Sequence, residues 1–305
     1  MLRELAQSRC TLRNVCFVNY STGDLDFLAC SSSLQRLELR NASGDMSFLH
    51  TLTALRHLDI ERAYIMTTDF LTSCTQLHSL DLRRTKVSDP SPISLCTQLR
   101  TLHISGTRIT TLDPLTSCTR LEDLSAGHLT LVDINPLSSL RRLQNLDLRG
   151  ATMETLLPLS SLKSLTYLDL GFTDIGDIAP LSTCTQLEHL DLTRTVVRSV
   201  APLTPLTRLV YLNLCDCPVA NVDHLSSCHG LGSLVLDGTA VTDIGKLAPC
   251  TALYYLSIRR TQIEDATVVS NFKKLKDLRI WGSNVSFLPV PSMCYVDVAV
   301  TRQDV

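Results

Sequence analysis

Apolar residues recur along this chain in one rhythm, L-x-x-L-x-L, and the rhythm returns at a nearly constant spacing. Taking the first leucine of each motif as a unit start, the starts run Leu12, Leu34, Leu55, Leu77, Leu99, Leu121, Leu143, Leu165, Leu187, Leu209, Leu231, Leu253 and Leu275, closing at Met293. From Leu55 to Leu275 every step is 22 residues; Leu34 to Leu55 is 21 and the last step is 18. A fixed period in this range means an array of stacked supersecondary units. Within the motif, alternation of apolar and polar places predicts a short strand. Further apolar residues stand at the eleventh, fourteenth, seventeenth and twentieth places, as Ile175, Ile178, Leu181 and Cys184 do in the unit that starts at Leu165. No unit buries such a set alone, so stacked neighbours must share one continuous core.

Polar punctuation completes each coil. Pro92, Pro114, Pro136, Pro158, Pro180 and Pro202 hold six successive sixteenth places. With its fixed φ and missing amide proton, proline suits the start of a short helical turn and not a long strand. Segments such as "PLSTC" are too short for α-helices and predict 3-10 turns. Threonine holds half of the ninth places, at Thr85, Thr107, Thr173, Thr195, Thr239, Thr261 and Thr301. Its hydroxyl is expected to bond loop amides or carbonyls where the coil bends, because buried backbone groups must be paired.

The motif resembles the leucine-rich repeat family, and most closely its 22-residue subclass found in phosphatase regulators of the Sds22 type and in bacterial internalins, whose units also read like "DIAPL". The wording of the units is also similar to leucine-rich repeat proteins of kinetoplastid protists. The resemblance covers roughly residues 12 to 301. It implies an α/β solenoid, a leucine-rich repeat horseshoe with a parallel β-sheet on the concave face and short 3-10 or irregular turns on the convex face. The expected organisation is a partial N-terminal coil over residues 1–11, with Leu2 and Leu5 inward, and a single repeat domain of about 14 units over 12–305.

Composition narrows the function. A 44% hydrophobic chain with mean hydropathy +0.14 and net charge −2 can fill a long core but has no basic excess for nucleic-acid phosphates. No window is long and apolar enough to span a bilayer and the first residues lack a signal-peptide core, so a cytoplasmic protein without membrane contact is expected. Of the 12 cysteines, Cys74, Cys96, Cys118, Cys184, Cys228 and Cys250 share the twentieth place with leucines and a phenylalanine, which reads as small buried hydrophobes and a reducing compartment. The densest set of metal-type ligands, Cys215, Cys217, His224, Cys228 and His229, is scattered by the repeat register, so no metal or cofactor is expected. No glycine-rich phosphate loop or nucleophile elbow is present, and His189 beside Asp169 and Asp191 lacks the rest of a mechanism on an open face. The chain reads as non-catalytic.

Function then falls to the outward strand places. The fifth place carries Asp147, Asp169 and Asp191 in succession. Rungs about 5 Å apart set such carboxylates repelling by roughly 1 kcal/mol per pair in a watery setting. Arg149 and Arg194 are the expected counter-ions. Tyr167, His189 and Tyr211 hold the third place beside that row, Phe172 the eighth, and Tyr255, Arg259, Arg260 and Trp281 lie farther along. Aromatic and arginine side chains beside carboxylates make a protein-binding surface, a solvated acidic ladder, or a cation site. The reading is a protein-interaction scaffold that binds another protein through its concave sheet. The alternatives are a recognition or regulatory arm of a ligase or phosphatase complex and a structural subunit of a large assembly. Neither terminus has a polar cap, so the ends are expected to be covered by partner subunits or further repeats.

Overall fold

A computed structural model describes residues 12–19, 25–43, 46–286 and 294–297. The expectations for the N-terminal coil, Met293, Thr301 and the final residues lie outside these. The chain divides into two compact units, Met1–Met153 and Glu154–Val305.

In the first unit every L-x-x-L-x-L motif forms a strand: β1 Asn14–Val18, β2 Arg36–Arg40, β3 His57–Asp59, β4 Ser79–Asp81, β5 Thr101–His103, β6 Asp123–Ser125 and β7 Asn145–Asp147. Each pairs in parallel with the next in sequence order. The second unit repeats the arrangement with β8 Tyr167–Asp169, β9 His189–Asp191, β10 Tyr211–Asn213, β11 Ser233–Val235, β12 Tyr255–Ser257, β13 Asp277–Arg279 and β14 Tyr295–Asp297, again paired in parallel and in order. The register aligns equivalent places, so Tyr167 faces His189 and His189 faces Tyr211. Between strands run 3-10 turns of three to five residues, such as Ala179–Thr183. This is the parallel-sheet and 3-10-turn architecture of a leucine-rich repeat solenoid.

Inward places are buried almost without exception, as in Leu165, Leu168, Leu170, Ile178, Leu181 and Cys184 at 0–1% exposure. Truncating one such leucine to alanine removes packing worth about 2–5 kcal/mol. The bends are held by side chains bonding nearby backbone. The eighth place has positive φ throughout, from Arg62 at 57° to Arg260 at 54°. That left-handed residue turns the chain out of the strand while its amide continues the ladder, Phe172 donating to the Thr193 carbonyl at 2.7 Å. The ninth-place hydroxyl donates to the sixth-place carbonyl of its own unit, as Thr173 does to Leu170 at 2.7 Å and Thr261 to Ile258 at 2.7 Å. Threonine thus closes its own bend, and at Thr195 the hydroxyl also meets the next coil, 3.3 Å from the Cys217 thiol.

A second closure precedes the 3-10 turns from Ser91 onward. Asp177 accepts from the Ala179 amide at 2.8 Å, Asp133 from Asn135 at 2.8 Å and Asp243 from Gly245 at 2.7 Å, the geometry of an Asx turn. The aspartate of "DIAPL" is therefore a cap, and proline follows it within the first two residues of the turn. The twentieth-place cysteines are free thiols that donate to carbonyls of the preceding coil, Cys74 to Leu49 at 3.4 Å, Cys118 to Ile93 at 3.5 Å and Cys250 to Leu225 at 3.3 Å. They pack like leucine but also satisfy an oxygen that leucine cannot, so they are more than the small hydrophobes expected from their place.

Candidate functional site

The outward face of the second unit carries most of the singled-out residues. Tyr167, His189 and Tyr211 occupy the same place on β8, β9 and β10, and the rung spacing brings their rings face to face. Tyr167 and His189 stack with centroids 4.5 Å apart at 17°, and His189 and Tyr211 at 4.0 Å and 2°. All three are half-buried. Burial holds the His189 imidazole below its ordinary value, Asp191 opposing, and pushes the Tyr211 phenol up. A neutral imidazole between two phenols is thus a rigid aromatic surface whose rotamers are already fixed. Ser233 follows in the column and separates the stack from Tyr255.

The acidic row beside the stack is partly committed to the fold. Asp169 is 8% exposed and accepts from the Gly171 amide at 2.8 Å. Asp191 accepts from the Thr193 amide at 2.7 Å and from the Asn213 side chain at 3.3 Å. Asn213 in turn caps Cys215 at 2.9 Å. In the first unit Asp147 accepts from the Arg149 amide at 2.9 Å and the Ser125 hydroxyl at 2.9 Å. One carboxylate oxygen of each aspartate therefore closes the bend two residues on, which sequence reasoning missed. The signal was Asn213, since a column that admits asparagine is selecting an acceptor as well as a charge.

The expected counter-ion Arg194 is held elsewhere. Its Nε lies 3.2 Å from Asp216, which also receives Arg260 at 2.9 Å. The Arg194 guanidinium sits over the Phe172 ring, 5.3 Å from its centroid, and Phe172 itself has φ 61° and is 43% exposed. Arg259 is tied to Asp297, with Nε at 2.7 Å. Trp281 projects outward and is 52% exposed. The structure thus gathers Tyr167, Asp169, Phe172, His189, Asp191, Arg194 and Tyr211 on three adjoining strands and their bends, with Tyr255, Arg259 and Trp281 farther along the same unit.

On the first unit the row holds a different cluster. His103 lies between two carboxylates, its Nδ1 3.4 Å from Asp81 and its Nε2 3.5 Å from Asp123. Asp123 and then Asp81 raise its pKa to about 9. Burial alone would raise Asp81, but hydrogen bonds from His103 and Arg83 override it and hold the carboxyl at about 2. Arg83 grips Asp81 with Nε at 2.9 Å and Nη2 at 2.5 Å.

Among the described residues no helix is long and apolar enough to cross a membrane, and no group of three potential metal ligands converges. Cys217 and Cys228 are buried and directed at carbonyls of the preceding coil, Leu192 and Leu206, at 2.8 and 3.6 Å.

No protein-family model and no curated protein matches the chain. Solved structures do. An internalin, InlF, from Listeria monocytogenes is similar at 22% identity and TM-score 0.91, covering 98% of this chain and 94% of that one. The functional domain of InlJ from the same organism, which includes a cysteine ladder, is similar at 22% identity and TM-score 0.78, over 92% of this chain and 60% of that one. The leucine-rich repeat ectodomain of the Arabidopsis thaliana receptor kinase GASSHO1/SCHENGEN3, in complex with Casparian strip integrity factor 2, is similar at 17% identity and TM-score 0.64, over 93% and 43%. At these identities the likeness shows the fold, a leucine-rich repeat solenoid.

Proposed function

We propose that this chain is a non-catalytic binding module that engages a partner protein through the sheet face of its second unit. The observation that carries this reading is the three-ring stack of Tyr167, His189 and Tyr211. Large aromatic side chains already locked in one arrangement give contact area with little further loss of rotamer freedom, the character of binding hot spots. Asp191 and the Phe172–Arg194 pair flank the stack as its polar rim, with Tyr255, Arg259 and Trp281 extending it. An open face with no converging catalytic set supports binding over chemistry. The Arabidopsis neighbour, whose repeats are seen with a ligand, is consistent with the same use of the fold.

We further propose, from repeat length and the "DIAPL" wording, that the chain stands with the 22-residue subclass of Sds22-type regulators and internalins, its unit wording also resembling kinetoplastid members. The buried thiols support a reducing, cytoplasmic setting.

The test is capture of partners from the native source by wild-type protein and by a Tyr167→Ala, Tyr211→Ala double variant whose folding is checked by circular dichroism. Asp169 is left intact, because its loss would unpair the Gly171 amide. Truncating two hot-spot side chains costs about 2 kcal/mol or more each, so a discrete partner held by wild type is lost by the variant. Equal retention by the folded variant overturns the reading.

A further inference from the structure

The first unit contains a cavity of about 210 Å³ beside the strand ends and bends of β3 to β7, and its chemistry differs from that of the aromatic stack. Its floor is set by the repeat. Where other units carry aspartate at the fifth place, β6 carries Ser125, too short to cap the seventh-place amide of its own bend. The Gly127 amide donates instead to the Ser105 hydroxyl of the preceding unit at 2.8 Å. Ser105 lies 2.6 Å from Ser125, which donates to Asp147 at 2.9 Å. With Ser105 accepting from Gly127 and Ser125 donating to Asp147, the hydroxyl of Ser105 must donate to Ser125. The floor is a closed relay ending on a carboxylate, with its donors used.

The walls carry three arginines and a histidine: Arg83, Arg84, Arg149 and His128 line the cavity. Among the described residues the side chains of Arg84 and His128 make no hydrogen bond or ion pair. Both stand at the eighth place of their units and are exposed. Between them the eighth place of the intervening unit is Gly106, at φ 68°, with nothing nearer to a would-be Cβ than the Arg84 Cγ at 3.6 Å. The Arg84 stem leans toward Gly106 and the His128 ring toward Gly150, its Nδ1 2.5 Å from where a Cβ there would stand, so the missing side chain at Gly106 leaves a gap beside the Arg84 side chain. Glu61 and Asp147 also line the cavity. Arg83 is already held by Asp81, with Nη2 at 2.5 Å, and lies 3.6 Å from Glu61, and Asp147 stands two residues before Arg149, so Arg84 is the guanidinium of the lining left to a ligand.

We infer that this gap is an acceptor site for an acidic side chain, aspartate or glutamate, of a peptide segment on a protein partner. The cavity admits one such side chain, Arg84 supplies a planar fork suited to a carboxylate, and the missing side chain at Gly106 supplies its entrance. The site uses none of the residues of the aromatic surface and stands or falls independently of it.

The experiment uses the whole chain and fluorescein-labelled hexaglutamate, read by fluorescence anisotropy at low ionic strength, where screening is weak. Wild type binds saturably and Arg84→Ala binds about fivefold more weakly. Gly106→Asp, which places a carboxylate in the gap, abolishes binding. Asp216 occupies the equivalent place at φ 56°, so the fold tolerates aspartate there, and circular dichroism confirms it. Unlabelled hexaglutamate displaces the probe, whereas hexaglutamine does not. Binding unchanged in Gly106→Asp and Arg84→Ala overturns the inference, as does absence of saturable binding. Displacement by inorganic phosphate at lower carboxylate-equivalent concentration than by hexaglutamate also overturns it, because the site would then serve a free anion.

Discussion

Replacing His103 by glutamine should weaken the fold below pH 8 and leave it almost unchanged above pH 10. The imidazole stands between Asp81 and Asp123 at 3.4 and 3.5 Å, and is raised from 6.5 to about 9. At about 1.4 kcal/mol per tenfold change in proton affinity, that rise corresponds to about 3 kcal/mol. The figure is an upper bound, since the Asp123 side chain is 39% exposed and solvent screens such pairs, so about 1–2 kcal/mol is the working expectation. The sign follows from linkage. A group whose folded pKa is raised holds its proton more tightly in the native state, so its contribution is complete below the unfolded value of 6.5 and disappears as pH rises through about 9. The assay is urea denaturation of wild type and His103→Gln from pH 6 to 10. Taking the difference between the two proteins cancels lysines, tyrosines and thiols that titrate nearby. A gap of 1–2 kcal/mol at pH 6 that closes by pH 10, with the His103 proton resonances shifting near pH 9 by NMR, supports the geometry. A gap independent of pH, or titration near 6.5, refutes it.

The fifth-place aspartates should behave as acceptors before they behave as charges. Asp191→Ala loses the cap on the Thr193 amide and should cost about 1 kcal/mol in chemical denaturation, whereas Asp191→Asn, matching what Asn213 does one strand on, should cost much less; equal losses would contradict the capping role. The coil thiols should be inert in the native state: burial raises Cys74 to about 11 and Cys96 to about 12, while Cys16 and Cys30 are exposed. Mass mapping after iodoacetamide at pH 8 should find Cys30 alkylated at once and Cys74 and Cys96 only after unfolding, and early labelling of Cys96 would place it outside the core. His189, depressed by burial, contributes stability above pH 6.5 that fades as pH falls through its lower folded value; Tyr167→Ala should blunt that acid loss by opening the stack, as a melting series from pH 7 to 4 would read.

The strands, their register and the core were legible because one apolar rhythm repeats: Leu168, Leu190 and Leu212 pair across strands as their common place requires. The same register put Tyr167, His189 and Tyr211 in one column, and ring stacking at rung spacing follows. The polar bonding was harder to read. Whether Asp191 faces solvent or bends back to an amide two residues on depends on the turn geometry around the left-handed eighth place, and residues as unlike as Arg194, Phe172 and Asp216 adopt it. With no glycine at the eighth place of those units to announce the bend, the capping duty of the fifth-place aspartates was signalled only by Asn213 in the same column. Arg194 was misassigned for a related reason: the αL residue leaves the strand direction, so its side chain reaches Asp216 at the same place of the next unit and not the fifth-place row. The cysteine row was read correctly as core, but its donor role depends on carbonyls 22 and 25 residues earlier, a relation visible only once coils are stacked.

The most direct test of the binding surface is photocrosslinking with p-benzoylphenylalanine placed singly at Tyr211, in the stack, and at Leu157, which projects from a 3-10 turn and is 65% exposed. Discrete crosslinking to a partner from Tyr211 and none from Leu157 is the result the account predicts. Crosslinks to that partner from Leu157 with none from Tyr211 would contradict it and move the working surface to the turns.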